Sequence, residues 1–206
     1  MMIVLTGGIG SGKSQVCSIL SEMYGFHVYE ADAKVKELYC THPTLLADIE
    51  NCLDVSLRDN DGKFQATLLA QIIFKDSDAL IKVENIVFPA LIDDFQKWRS
   101  NLKDERPVIF ESATVLEKSQ FEGFGDMTVL VNAPYSIRLA RAGVRDGDSA
   151  KVESRMGFQK LMNRLSEGES DSRVDVILEN DSSFEDLEEK LKEFIEKYGL
   201  TKLLSV

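Results

Sequence analysis

Four glycines, Gly7, Gly8, Gly10 and Gly12, crowd into a stretch that ends in Lys13 and Ser14, so that Gly7 to Ser14 reads G-x-x-x-x-G-K-S. Glycines let successive backbone N–H groups turn inward around phosphate oxygens without interference from a Cβ. A helix beginning at the lysine points unpaired N–H groups and partial positive charge at the same spot. The lysine reaches the outer phosphates and the serine hydroxyl suits Mg²⁺. In a chain of this length such a pattern arises by chance on the order of one time in a hundred, with glycine near 7%. The apolar run Ile3–Thr6 before it and the helical pattern Val16, Ile19, Leu20, Met23 after it are the context that the motif requires. A dinucleotide fingerprint fits less well: Gly8-Ile9-Gly10 opens one, but Lys13 stands where its last glycine belongs. We therefore expect a nucleoside triphosphate bound by Gly8, Ile9, Gly10, Ser11, Gly12, Lys13, Ser14 and Gln15, with Ser14 on the metal.

Two further groups could act on that phosphate. The second apolar run ends Tyr29-Glu30-Ala31-Asp32, at the sheet edge where ligands of parallel sheets bind. A carboxylate there could orient an acceptor hydroxyl, take its proton or hold metal-bound water; Asp32 could equally cap the following helix. Between residues 138 and 164 lie Arg138, Arg141, Arg145, Lys151, Arg155, Lys160 and Arg164, against Asp146, Asp148 and Glu153. On charge alone this basic segment reads as a solvated helix face; beside a phosphate loop it reads as a lid. A guanine-reading Asn-Lys-x-Asp and a strand ending in Asp-x-x-Gly are missing, which argues against a GTPase. The third run ends in Glu111-Ser112-Ala113 rather than the Asp-Glu of motor ATPases.

The elements that must carry these groups follow from five short apolar runs: Ile3–Thr6, His27–Glu30, Pro107–Glu111, Thr128–Val131 and Val174–Leu178. Helical stretches separate them, which predicts an α/β fold with a five-stranded parallel sheet. Runs two and three are about 75 residues apart, far beyond a simple crossover. Leu45, Leu46, Ile49, Leu53, Leu68, Leu69, Ile72 and Ile73 fall at helical spacing there, with a turn at Asp59-Asn60-Asp61-Gly62. A second stripe runs from Leu80 to Trp98, and Pro89 should break or kink it. Gly143 and Gly147 should bracket a polar turn that allows hinge motion, and Ser149 should cap one helix over about 150 to 165. Near the C-terminus, Ser182 and Ser183 ahead of Glu185 and Asp186 form a capping pattern, and Leu187, Leu191, Phe194 and Ile195 a sheet-covering face. The expected organisation is a nucleotide-binding core over 1–32, 101–136 and 166–206, a helical acceptor-binding insertion over 33–100 and a basic helical lid over 137–165.

Supply and charge exclude other chemistry. With only His27 and His42, a histidine-rich metal site is excluded by supply. Cys17, Cys40 and Cys52 show no metal-like spacing and read as reduced structural thiols. A net charge of −11 argues against general nucleic-acid binding, which needs a basic face. The first apolar run has no basic flank and leads straight into the glycines, so neither a signal peptide nor a membrane span is expected.

On these residues the sequence resembles the dephospho-coenzyme A kinase family. Leu-Thr-Gly-Gly-Ile-Gly-Ser-Gly-Lys-Ser is nearly the family's whole first signature, and Glu30-Ala31-Asp32-Ala33 resembles its Asp-Ala-Asp segment. Asp61-Gly62 with Leu69 and Ile73-Phe74 follows its helical insertion; Arg138, Arg141, Arg145-Asp146 and Arg155…Gln159 follow its lid. Departures are Glu30 for Asp, Gln15 for Thr, Ala66 for Arg, the loosely matching Glu111–Glu117 stretch, and Phe88-Pro89-Ala90-Leu91 for His-Pro-Leu-Ile, so no histidine role carries over. The resemblance implies transfer of the ATP γ-phosphoryl group to the ribose 3′-hydroxyl of dephospho-coenzyme A, the last step of coenzyme A synthesis, with Mg²⁺. It implies Lys13 on the phosphates and Asp32 orienting and deprotonating the hydroxyl. Arg141, with Arg138 and Arg145, would close on developing charge, and Asn180 would meet the adenine side. A cytoplasmic monomer or weak homo-oligomer, without nucleic-acid or membrane partners, is the matching expectation. The alternatives from the residues themselves are another nucleoside or nucleotide kinase of the same fold, or an ATP-binding regulatory module with no acceptor.

Overall fold

The computed structural model describes residues 1–200; the last six residues of the core segment expected over 166–206 lie outside the described residues. The chain forms two compact units, Met1–Glu30 with the chain from Asp104 onward, and Ala31–Lys103.

The first unit is built on a parallel sheet. Strand β1 (Met2–Thr6) leads through the glycine loop into α1 (Lys13–Tyr24), which returns to β2 (His27–Glu30). After the second unit come β3 (Val108–Glu111) and β4 (Met127–Asn132), and after three further helices β5 (Val176–Glu179). The order is β2-β3-β1-β4-β5, with every pairing parallel. β1 therefore lies at the centre and is buried along its whole length, as its unbroken apolar run requires. The connections leave β1 towards β2 on one side and reach β4 and β5 on the other. The C-terminal end of β1 is thus where an open α/β sheet takes its ligand. Ile3, Leu5, Ile109, Met127, Val129, Val131 and Leu178 form the sheet's buried contribution to one core. Over them lie Val16, Ile19 and Leu20 of α1 and the apolar face of the C-terminal helix at Phe184–Lys197. That helix is capped as expected, the Ser183 hydroxyl accepting from the Asp186 N–H.

The second unit is helical. It contains α2 (Ala31–Thr41), α3 (Leu45–Leu53), α4 (Ala66–Lys75) and α5 (Ser77–Ser100), with α2, α3 and α4 all packing on α5. Pro89 does not break α5, which continues through it for 24 residues. Pro89 lies on the exposed face, where the backbone can be hydrated, while Val87, Phe88 and Leu91 beside it are buried and hold the helix together. The turn at Asp59–Gly62 is present but sits in a small hairpin rather than directly between helices: the Asp59 carboxylate accepts from the N–H groups of Asp61 and Lys63, and Arg58 bridges Phe64. His42 Nδ1 accepts from the Leu45 N–H, which serves the first turn of α3. Burial pushes the Tyr39 phenol up to about 12, with Glu84 adding to the effect.

Three helices between β4 and β5 belong to the first unit: α6 (Tyr135–Asp146), α7 (Ser149–Gly157) and α8 (Lys160–Ser166). Two expectations change here. Gly143 is inside α6, not at the edge of a turn; a Cβ on it would meet Ser149 at 2.5 Å, so its small size admits the start of α7. The cap of α7 is Asp148, whose carboxylate accepts from the Lys151 N–H, with Ser149 the first helical residue. The single helix expected over 150–165 is two, interrupted at Phe158 and Gln159. The last helix, Phe184–Lys197, is α9. Among the described residues no helix is long and apolar enough to cross a membrane.

Candidate active site

The glycine loop begins where β1 ends. Gly10 and Gly12 have φ of +78° and +99°, a left-handed region that side chains rarely adopt. Space makes the same demand: a Cβ on Gly10 would run into the backbone carbonyl of Arg138, and one on Gly12 into the amide nitrogen of Asn180. The Ser11 N–H donates to the Gly8 carbonyl at 3.1 Å and closes a turn, and the Gln15 and Val16 N–H groups donate to the Gly12 carbonyl. The N–H groups of Gly10, Gly12, Lys13 and Ser14 have no acceptor among the described residues. Four such donors at the start of a twelve-residue helix make a place for phosphate oxygens.

Lys13 Nζ donates to the Gly7 carbonyl at 2.9 Å and lies 3.7 Å from the Glu111 carboxylate. Glu111 is the last residue of β3, 8% exposed, and pairs in register with Glu30 at the end of β2. The loop thus holds its lysine beside a carboxylate that the sequence offered only as the acidic end of a strand. Cys17 lies beneath; burial pushes its thiol up, and the charges of Glu111 and Glu30 push it further. It is an inert core thiol, whereas Cys40 and Cys52 are exposed.

Ser14 is exposed in the first turn of α1, and so is Gln15 behind it. Mg²⁺ is commonly held by one or two protein oxygens plus substrate phosphates and water, and an exposed hydroxyl at the mouth of the loop fits that pattern. Among the described residues no cluster of three or more His, Cys, Asp or Glu could hold a metal alone.

Three arginines were expected to face the phosphate, and α6 presents them differently. Arg138 is 1% exposed, and all its nitrogens are engaged: Nε with the Ile9 carbonyl at 3.1 Å, Nη1 with the Met162 carbonyl at 3.3 Å, Nη2 with Asn163 Oδ1 at 3.1 Å. Burial holds its pKa below the ordinary arginine value. Its guanidinium also packs against Gly8, where a Cβ would collide with it. Arg138 is therefore a strut between the loop and α8, not an open cation. Arg145 forms a two-point pair with Asp146, which also takes Arg155 Nη1 at 3.1 Å. Arg145 holds that carboxyl below the usual range.

Arg141 differs from both. Its Nη1 donates to the Asn180 carbonyl at 2.8 Å, and no other nitrogen of its guanidinium has an acceptor among the described residues. Asn180, 3% exposed just beyond β5, donates through Nδ2 to the Ser11 carbonyl at 2.9 Å. A guanidinium with donors to spare is thereby tied to the loop through two hydrogen bonds. Asn180, expected on the adenine side, has its buried side chain bonded to the loop. Asp32 lies in the second unit, exposed in the first turn of α2, so it is helical rather than a cap. Ile9 completes the loop: its N–H donates to Gln159 Oε1 at 2.8 Å. The sequence placed Gln159 only in the segment that resembles the family's lid; its bond to Ile9 has no spacing signal there, because the break between α7 and α8 that turns it to the loop is not legible in the sequence.

Comparisons with known proteins show the family and the fold. A family model described as dephospho-CoA kinase matches residues 1–186. A Fusobacterium nucleatum protein of that name is 32% identical over 196 residues, which cover 95% of this chain and 97% of the relative. The fold superposes on the crystal structure of a Thermus thermophilus protein with a TM-score of 0.78 at 28% identity, covering 96% and 97% of the two chains. It also superposes on a Campylobacter jejuni dephospho-CoA kinase with a TM-score of 0.63 at 20% identity, covering 96% of each; at that identity the likeness concerns the fold. With a family model matching nearly the whole chain and a relative matched almost end to end, the chain belongs to the dephospho-CoA kinase family.

Proposed function

We propose that this protein transfers the γ-phosphoryl group of ATP to the 3′-hydroxyl of dephospho-coenzyme A, giving coenzyme A and ADP. The carrying observation is the linked set Arg141–Asn180–Ser11, which ties a guanidinium with spare donors to a phosphate loop. The transition state of phosphoryl transfer is loose, with charge spread over the transferred oxygens, so the protein's task is to position and to neutralise.

In this reading the N–H groups of Gly10, Gly12, Lys13 and Ser14 hold phosphate oxygens. Lys13 exchanges the Gly7 carbonyl for the β- and γ-phosphates, and Glu111 keeps its ammonium near the loop meanwhile. The Ser14 hydroxyl is the protein oxygen for Mg²⁺, which, when bound, neutralises phosphate charge. Arg141 closes on the transferred group, since guanidinium geometry suits phosphate oxygens. Arg138 and Asn180 shape the loop, and Arg145 serves the lid through Asp146. Asp32, two residues beyond the last residue of β2, orients the acceptor hydroxyl and takes its proton. The same reading makes the protein a monomer or weak homo-oligomer and a cytoplasmic enzyme, the latter in keeping with its free thiols.

The test is ADP release from purified protein with ATP and Mg²⁺, with and without dephospho-coenzyme A. The expected result is acceptor-dependent ADP and an acceptor product heavier by one phosphate. Phosphorylation of free nucleosides with none of dephospho-coenzyme A would reject the reading.

A further inference from the structure

Ile9, in the middle of the phosphate loop, is gripped by the lid at three points. Its N–H donates to Gln159, its carbonyl accepts from Arg138, and its side chain packs against the small core of Ala142, Val152 and Met156. The two polar grips are themselves connected, because Asn163 accepts from Arg138 and donates to the Met156 carbonyl at 2.8 Å, and Met156 in turn accepts from the Gln159 N–H at 3.0 Å. Gln159 stands in the break between α7 and α8 with its own N–H and carbonyl engaged, the latter by the Asn163 N–H, so its carboxamide alone is turned to the loop.

A planar trans peptide points its carbonyl and its N–H in opposite directions. Fixing one end therefore aims the other. Gln159 holds the N–H of the Gly8–Ile9 peptide, which turns the Gly8 carbonyl inward, where the Ser11 N–H takes it. Arg138 holds the carbonyl of the Ile9–Gly10 peptide, which turns the Gly10 N–H to the opposite side, away from the lid and towards the cradle. We propose that Gln159 is a positioning residue for nucleotide binding: its carboxamide oxygen, with Arg138, sets the orientation of two successive loop peptides and so pre-forms the phosphate cradle. The inference rests on the loop's binding ATP, not on the identity of the acceptor.

Gln159→Met keeps the side chain's length and removes its acceptor. Leaving the Ile9 N–H unpaired should raise the ATP dissociation constant about tenfold, measured calorimetrically with Mg²⁺, in line with the cost of an unmet partly buried donor. The KM for dephospho-coenzyme A should stay within twofold and kcat within threefold. Hydrogen exchange at the Ile9 amide should accelerate in Gln159→Met and stay slow in Gln159→Glu, which retains an acceptor oxygen. An ATP affinity within twofold of the parent, or unchanged Ile9 exchange in Gln159→Met, overturns the assignment, as does a fall in kcat with ATP affinity intact. Weaker ATP binding in the variant with no turnover of dephospho-coenzyme A by the parent would leave Gln159's role standing and remove the acceptor instead.

Discussion

Lys13 and Asp32 are both charged, and each sits in the first turn of a helix, yet they are assigned different work. Lys13→Ala should weaken ATP binding and slow turnover together, because the ammonium sits within the loop. Asp32→Asn should leave ATP affinity nearly intact and cut kcat by about 10²-fold or more, the scale of acid–base and positioning effects. Equilibrium ATP binding beside steady-state rates separates the two, and an Asp32→Asn enzyme at the parent rate would end the acid–base assignment. The arginines are the second contrast. Arg141→Ala should lower kcat about 10²–10³-fold, as loss of a charge-stabilising donor does. Arg145→Ala, which removes a pair already closed on Asp146, should cost at least tenfold less in the same assay. In sequence the three arginines read alike as cations of one basic segment, Arg145 within the turn expected between Gly143 and Gly147. What separates them is where their nitrogens end, and that depends on Ile9, Met162, Asn163 and Asn180, up to 129 residues away.

At the scale of elements, the strands were the most legible part. Buried parallel strands must be apolar on both faces, as the run of central β1 is; the observed strands differ from the five runs by at most two residues at an end, and β2 coincides with its run. The covering role of α9 was equally plain, because its stripe is periodic and its cap is a side chain next in sequence. Leu191 is fully buried in that stripe, so Leu191→Ala should cost about 2–5 kcal/mol, read by urea unfolding. Punctuation misled where an element is held from outside. Proline is a breaker in isolation, but α5 has buried residues on both sides of Pro89. Gly143 resembled a turn residue and is instead the contact that lets α7 approach α6. The break at Gln159 is a tertiary event, tied to a loop 150 residues earlier.

Across the whole molecule, carboxylates outnumber cations, and the stability of the fold should depend on pH through those that are paired. Asp171 forms a two-point pair with Arg173, whose Nη1 also reaches the Leu116 carbonyl. The Arg173 guanidinium holds the Asp171 carboxyl at about 2, below its ordinary 3.8. A carboxyl lowered in the folded state adds stability above its ordinary value and loses it as pH falls towards the folded one. Asp171→Asn should therefore cost about 1 kcal/mol at pH 7, the scale of a partly exposed pair, and the difference from the parent should vanish between about pH 4 and pH 2. Urea unfolding at several pH values gives that curve. By itself the sequence determined the parallel α/β sheet, the phosphate loop, the separate helical stretch between strands two and three, and the family, because each is written in local periodicity or in contiguous residues. Tertiary structure alone decided which arginine keeps free donors, that Asn180 braces the loop, that Glu111 lies beside Lys13 and that Gln159 holds Ile9. The physical reason is that a hydrogen bond's partner is chosen by distance in space: the partners of Lys13, Ile9 and Ser11 lie between 98 and 169 residues away, and that of Arg141 lies 39 away on another element.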